Sequence, residues 1–159
     1  TGKPSPLGMC IKNGIIYGDY MTSYSVMAVK KDGTIYTPAQ GFMGKNLLAA
    51  GVKDTYNFGP VLIKDGEAQL PWAETEKYYP RTAVGMVKPN DYVLLVTDTG
   101  SYNGLNHWDM VDIFKSYGCT YAYNLDGGGS ATLYFNGKVM NKLIGNTQRP
   151  CADFLYFTR

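Results

Sequence analysis

Turn dipeptides that reverse a strand recur along this chain and commit much of it to short strands and hairpins. Asn13-Gly14, Lys31-Asp32-Gly33, Lys64-Asp65-Gly66 and Asn136-Gly137 each lie between runs rich in β-branched and aromatic residues. Asn, Asp and Gly tolerate the positive φ that a tight hairpin turn demands, so the chain doubles back where other residues would resist. Met9–Lys12 and Ile15–Tyr17 flank the first signal, and Tyr24–Lys30 and Thr34–Thr37 the second. Phe58–Ile63 leads into the third as one strand. Thr82–Val87 and Tyr92–Thr97 face each other across Pro89-Asn90-Asp91, and Thr132–Asn136 pairs with Lys138–Met140. Thr120–Leu125 reads as a buried strand and Ala152–Thr158 as a closing one.

Helical periodicity is clear in one place. Leu105, Trp108, Val111, Phe114 and Tyr117 make an apolar stripe that Gly118 ends, which predicts a principal helix over 105–117 packed through Trp108, Val111 and Phe114. A short additional helix is expected over Lys45–Ala50, closed by Gly51. Leu70–Pro80, with Pro71, Trp72 and several charges, has no period and reads as a long loop over a site. No repeat, linker or low-complexity stretch divides the 159 residues. The expectation is a single α+β domain with a mixed or antiparallel sheet.

Composition closes off several functions. A net charge of +2 is too small to imply nucleic acid or a membrane surface as partner. No apolar run approaches the roughly 18 residues of a membrane helix. The chain opens at Thr1-Gly2-Lys3-Pro4 without a Met, so the lack of a leader carries no information on compartment. Three cysteines (Cys10, Cys119, Cys151) make no complete disulfide set; buried free thiols are expected, with a Cys10–Cys151 bridge left open. The only histidine is His107, so a His-dependent triad or a His-rich metal site lacks material, and His107 itself reads as a partly buried helix residue. Fourteen tyrosines supply aromatic surfaces able to stack on sugars.

Asn124-Leu125-Asp126-Gly127-Gly128-Gly129-Ser130 is the most informative segment: a buried strand ends in a carboxylate, three glycines and a hydroxyl. Each glycine costs about 0.5–1 kcal/mol relative to Ala in regular structure. Three in a row therefore point to a backbone that must be bare, for unusual dihedrals or for close ligand approach. Exposed N–H groups in such a loop form an anion-binding nest. Pro80-Arg81-Thr82-Ala83 sets one of only three arginines at a strand start, where a planar fork serves a phosphate or a structural ion pair. Asp98 ends an apolar strand and fits either a catalytic carboxylate or a turn; Arg149, before Pro150, is equally open.

Together these blocks resemble the phosphodiester glycosidase family. Pro80-Arg81-Thr82-Ala83-Val84-Gly85, the strand ending at Asp98, Gly104-Leu105-Asn106-His107-Trp108-Asp109-Met110, Asn124–Ser130 and Asn136-Gly137-Lys138 stand in family order. Phe58-Gly59-Pro60-Val61-Leu62 and Arg149-Pro150 extend the resemblance over essentially the whole chain, as a bacterial or phage member. Two departures are visible. The family's Asn-Gly-rich first strand, which precedes the counterpart of Lys12-Asn13-Gly14, is expected to be missing, and Thr99-Gly100 follows Asp98 where the family more often has Gly directly.

The resemblance implies hydrolysis of the sugar C1–O bond of a sugar-1-phosphodiester, or of a related cell-envelope glycan, in an extracellular or cell-surface setting. It implies Asp126, Asp98 and Arg81 as catalytic residues, and Asn124, Gly127, Gly128, Gly129, Ser130, Thr82 and Arg149 as substrate-binding ones. No cofactor or metal is required, although a carboxylate-rich loop is able to hold a divalent cation. Two other uses of the fold stay open: binding of sugar-phosphates or nucleotide-sugars without cleavage, and a structural or adhesive role.

Overall fold

In the computed structural model, which describes residues 5, 7–70, 77–98 and 104–158, the turn signals act where the sequence puts them. Asn13, Asp65, Asn90 and Asn136 all have positive φ, between 48° and 65°. The hairpins they close join β1 (Cys10–Lys12) to β2 (Ile15–Gly18), β6 (Val61–Lys64) to β7 (Glu67–Ala68), β8 (Thr82–Lys88) to β9 (Asp91–Val96), and β11 (Tyr134–Phe135) to β12 (Lys138–Val139). Likewise β3 (Ser25–Lys30) turns at Asp32-Gly33 into β4 (Ile35–Tyr36).

Besides the two-stranded β1–β2 and β11–β12 hairpins, the described residues form two larger antiparallel sheets. One has the order β4-β3-β5, where β5 is Val52–Phe58; the other has the order β7-β6-β10-β8-β9, where β10 is Tyr121–Leu125. Strand alternation sorts their side chains into layers. Met27 and Val29 of β3, Val84 and Met86 of β8, and Tyr121 and Tyr123 of β10 pack between the two sheets. Ala83 and Ala122, on the opposite face, meet Met110, Val111 and Phe114 of α2 (His107–Ser116). The outer face of the smaller sheet, Val26 and Ala28, is covered by Met9, Ile11 and Leu47 of α1 (Gly44–Ala49). Tyr123, fully buried, ties the sheets together: its hydroxyl donates to Ser25 O at 2.6 Å and accepts from Phe58 N at 2.9 Å. Burial raises its pKa, which keeps the phenol protonated as a donor. The α+β class with antiparallel sheets is therefore as expected, and neither helix is long or apolar enough to cross a membrane.

Four expectations need correction. The strand expected over Phe58–Ile63 is the junction of two strands: Gly59 (φ 90°) and Pro60 bend the chain out of β5 into β6, and β5 itself lacks an alternation legible in sequence because Lys53 and Asp54 interrupt it. The principal helix starts later and is turned differently. Asn106 caps it in a capping box with Asp109, so His107, Met110, Val111 and Phe114 face inward while Trp108 and Tyr117 are 39% and 62% exposed. No strand forms over residues 152–158; Leu155 anchors that segment in the inter-sheet core through its side chain without a ladder. Finally, Cys10 and Cys119 are buried free thiols as expected, but Cys151 is exposed, and it is not bonded to Cys10. The expected long loop over Leu70–Pro80 lies in part, residues 71–76, outside the described residues.

Candidate active site

β8 runs between β10 and β9, and this order brings the distant motifs to one sheet end. Leu125 pairs with Thr82, and Thr82 with Val96, so Asp126, Arg81 and Thr97-Asp98 follow side by side. The triglycine loop leans on the Pro80-Arg81 backbone: Gly128 N donates to Pro80 O at 2.8 Å. On the other side Arg81 N donates to Thr97 Oγ1, and Thr97 N to Arg81 O, each at 2.9 Å.

The three glycines are bare for different reasons. A Cβ on Gly127 would lie 2.5 Å from Pro80 O, so the close approach of two backbones excludes it. Gly128 has φ 56°, the left-handed region. Gly129 has neither constraint; its Cβ would meet only Arg149 Cδ, at an ordinary 3.7 Å. The anion nest expected of this loop is partly engaged from within. Gly127 N donates to Asp126 Oδ1 at 2.9 Å and Gly128 N to Pro80 O, so two of its three donors are engaged by the fold itself.

Side chains leave this junction in two directions. Asp126, Thr82, Ser130 and Arg149 line one cleft of about 630 Å³ that opens between the sheets and the C-terminal segment. The hydroxyl oxygens of Thr82 and Ser130 are buried beneath the cleft surface, so the polar groups it exposes are those of Asp126 and Arg149. Arg81 turns instead toward the start of α2, where Nε donates to Leu105 O at 3.1 Å and Nη2 to Lys77 O at 2.9 Å, with Tyr79 beneath the guanidinium. Of the ion pair left open by the sequence there is none among the described residues: no carboxylate there pairs with Arg81. Burial pushes its pKa down, opposed by Tyr79. Among the described residues its hydrogen-bond acceptors are carbonyls, which leave the positive charge of the half-buried guanidinium in place.

The remaining sequence-predicted residues have evident structural duties. Asn124 is 1% exposed; its Nδ2 donates to Gly59 O at 2.7 Å and clamps the bend between the sheets. Asp98 Oδ2 accepts from Lys142 N at 3.0 Å. Thr99 and Gly100, where the sequence departs from the family pattern, lie outside the described residues. His107 is 8% exposed at the first turn of α2, the packing residue it reads as.

The sequence profile described as phosphodiester glycosidase matches residues 1–158. The chain belongs to the phosphodiester glycosidase family. It is similar to a SPbeta prophage-derived uncharacterized protein of Bacillus subtilis, with 31% identity over 160 residues that cover 94% of this chain and 25% of that protein. This relative fits the bacterial or phage membership implied by the sequence. N-acetylglucosamine-1-phosphodiester alpha-N-acetylglucosaminidase of Mus musculus is 28% identical over 156 residues, covering 82% of this chain and 29% of that one. Among solved structures, the catalytic domain of the zebrafish enzyme of that name, auto-inhibited by its pro-peptide, superposes with a TM-score of 0.71 at 22% identity. That superposition covers 92% of this chain and 55% of the zebrafish one and speaks to the fold. The chain thus spans 25% to 29% of the length of these two curated relatives.

Several cleft residues escape any reading of the sequence. Cys10, Thr55, Asn57, Asp153, Phe154 and Phe157 also line it, contributed by β1, β5 and the C-terminal segment of this phosphodiester glycosidase chain. No local pattern marks them, because their only common property is their meeting across the gap between two sheets. The exposed Phe154–Phe157 run was the one available signal.

Proposed function

We propose that the chain hydrolyses the C1–O bond of a sugar-1-phosphodiester, with an N-acetylglucosamine-1-phosphodiester as first candidate substrate. The observation that carries this is the meeting of Asp126, Thr82, Ser130 and Arg149 in one cleft, beside a strand end where Arg81 has no carboxylate partner among the described residues. The leaving group is a phosphate monoester, a weak base, so departure needs little help from a general acid. A carboxylate must meet the cationic sugar carbon that develops, by stabilising it, attacking it or activating water. Asp126, exposed and with one oxygen fixed by Gly127 N, is suited to that work, with Asp98 as the second carboxylate. Arg149, in the cleft with Asp126, supplies a cation for the departing phosphate, while Arg81 holds the neighbouring strand end against the start of α2.

The test is release of N-acetylglucosamine from such a diester. Asp126→Asn nearly preserves shape and removes charge, so turnover should fall on the order of 10²–10³ with the fold intact by circular dichroism. Arg81→Lys should also slow turnover, because Lys keeps the charge but cannot hold the Leu105 and Lys77 carbonyls together beside the strand end. Wild-type rates in Asp126→Asn would remove that residue from the chemistry. An extracellular or cell-surface location belongs to the same proposal, since envelope glycan diesters lie there; recovery of the protein from the cytosolic fraction alone would exclude it.

A further inference from the structure

The C-terminal segment carries exposed apolar surface that the proposed chemistry leaves unused. Phe154, Tyr156 and Phe157 are 77%, 60% and 47% exposed, while Leu155 among them is tucked into the inter-sheet core. Single exposed apolar residues are ordinary; three neighbouring rings on one segment mark a contact surface. The segment is also held in position. Lys12 Nζ lies 2.8 Å from Asp153 Oδ2, Tyr56 donates its hydroxyl to Phe154 O at 3.4 Å, and the Phe157 ring packs on Tyr92 with centroids 5.1 Å apart. A segment held by its backbone, with the Phe157 ring packed, loses little freedom when a ligand lands on it.

Phe154 and Phe157 form a wall of the same cleft that Asp126, Arg149, Thr82 and Ser130 enter. Flat apolar faces beside the exposed charges of Asp126 and Arg149 suit one ligand chemistry best. A pyranose ring turns a C–H face to an aromatic ring and offers hydroxyls at its rim to polar side chains. An acyl chain would cover the rings but strip water from the charged Asp126 and Arg149 without returning hydrogen bonds, which is unfavourable. The cleft, at about 630 Å³, is the size of a site for a drug-sized ligand, and one sugar ring fills only part of it.

We infer that this cleft binds an oligosaccharide, with the ring at the bond to be cleaved beside Asp126 and further rings against Phe154 and Phe157. The position of the bond rests on the phosphodiester glycosidase function proposed above; the aromatic wall takes sugar rings whether or not a bond is broken. Titration calorimetry on the whole chain tests it with the tetrasaccharides of N-acetylglucosamine, mannose and glucose, each against its monosaccharide. At least one tetrasaccharide should bind about tenfold more tightly than its monosaccharide. Phe154→Ala should remove most of that gain, and Phe154→Trp should restore it. Phe154 is too exposed for its loss to unfold the chain, and circular dichroism verifies this. The inference is overturned if no tetrasaccharide outbinds its monosaccharide, or if Phe154→Ala leaves the preference intact. Tetrasaccharide binding without diester hydrolysis would retire the glycosidase function and keep the aromatic wall; hydrolysis without the preference would do the reverse.

Discussion

Replacing the three glycines of the Asp126–Ser130 loop by alanine, one at a time, should give three different stabilities. At Gly127 the new Cβ would sit 2.5 Å from Pro80 O, a backbone atom that cannot rotate away. The loop must lift, at about 1–3 kcal/mol for overpacking. Lifting it also weakens the 2.8 Å bond from Gly128 N to Pro80 O, worth about 0.5–1.5 kcal/mol. Alanine returns about 0.4–1 kcal/mol by restricting the unfolded chain, so the net loss is roughly 1–3 kcal/mol. At Gly128, φ 56° costs an L-residue about 1–2 kcal/mol, leaving a net loss of roughly 0.5–1 kcal/mol after the same correction. Gly129→Ala meets only Arg149 Cδ at 3.7 Å and should change stability by less than about 0.5 kcal/mol. Urea denaturation of the three variants measures the order directly. If Gly129→Ala is as damaging as Gly127→Ala, backbone approach is not what keeps Gly127 bare. If Gly129→Ala is stable yet loses diester hydrolysis, its bareness serves the ligand.

Gly85→Ala tests the packing of β8 on α2. Its Cβ would lie 2.5 Å from Phe114 Cδ1 and 2.7 Å from Cys119 Sγ, so urea unfolding should show a loss of about 1–3 kcal/mol, partly relieved by Phe114→Leu in the double variant. Phe114→Ala should cost about 3–5 kcal/mol by the same measurement, whereas Trp108→Ala, on the same helix but 39% exposed, should cost about 1 kcal/mol. Equal losses would restore the helix orientation read from the sequence. Alkylation by iodoacetamide at pH 8, followed by peptide mass spectrometry, should label Cys151 first. Cys10 and Cys119 are buried, and burial raises both thiol pKa values, so less of each is thiolate at that pH.

What the sequence determined by itself is whatever depends on neighbours along the chain. Hairpin turns at Asn13, Asp65, Asn90 and Asn136 follow from residues that accept positive φ, and the end of α2 follows from Gly118. The ordered blocks Pro80–Gly85, Gly104–Met110 and Asn124–Ser130 were sufficient to indicate the family, which the match over residues 1–158 bears out. The same blocks did not reveal their own division of labour. Gly85 reads as part of a motif, yet the space against Phe114 accounts for it; Asn124 reads as a binding residue, yet it clamps Gly59. The rotation of α2 lay outside sequence reasoning as well. Trp108 and Val111 both fit an apolar stripe, and only the Asn106–Asp109 cap and the small residues of β8 and β10 select which face is buried. Tertiary structure alone decided the cleft. Thr82 and Asp126 come from the larger sheet, Asn57 from the smaller, and Arg149 and Phe154 from a segment with no ladder at all. The strand order β7-β6-β10-β8-β9 brings Thr82 beside Asp126, and the packing of the two sheets and of Leu155 between them brings the rest, a property of the whole chain that no local window contains.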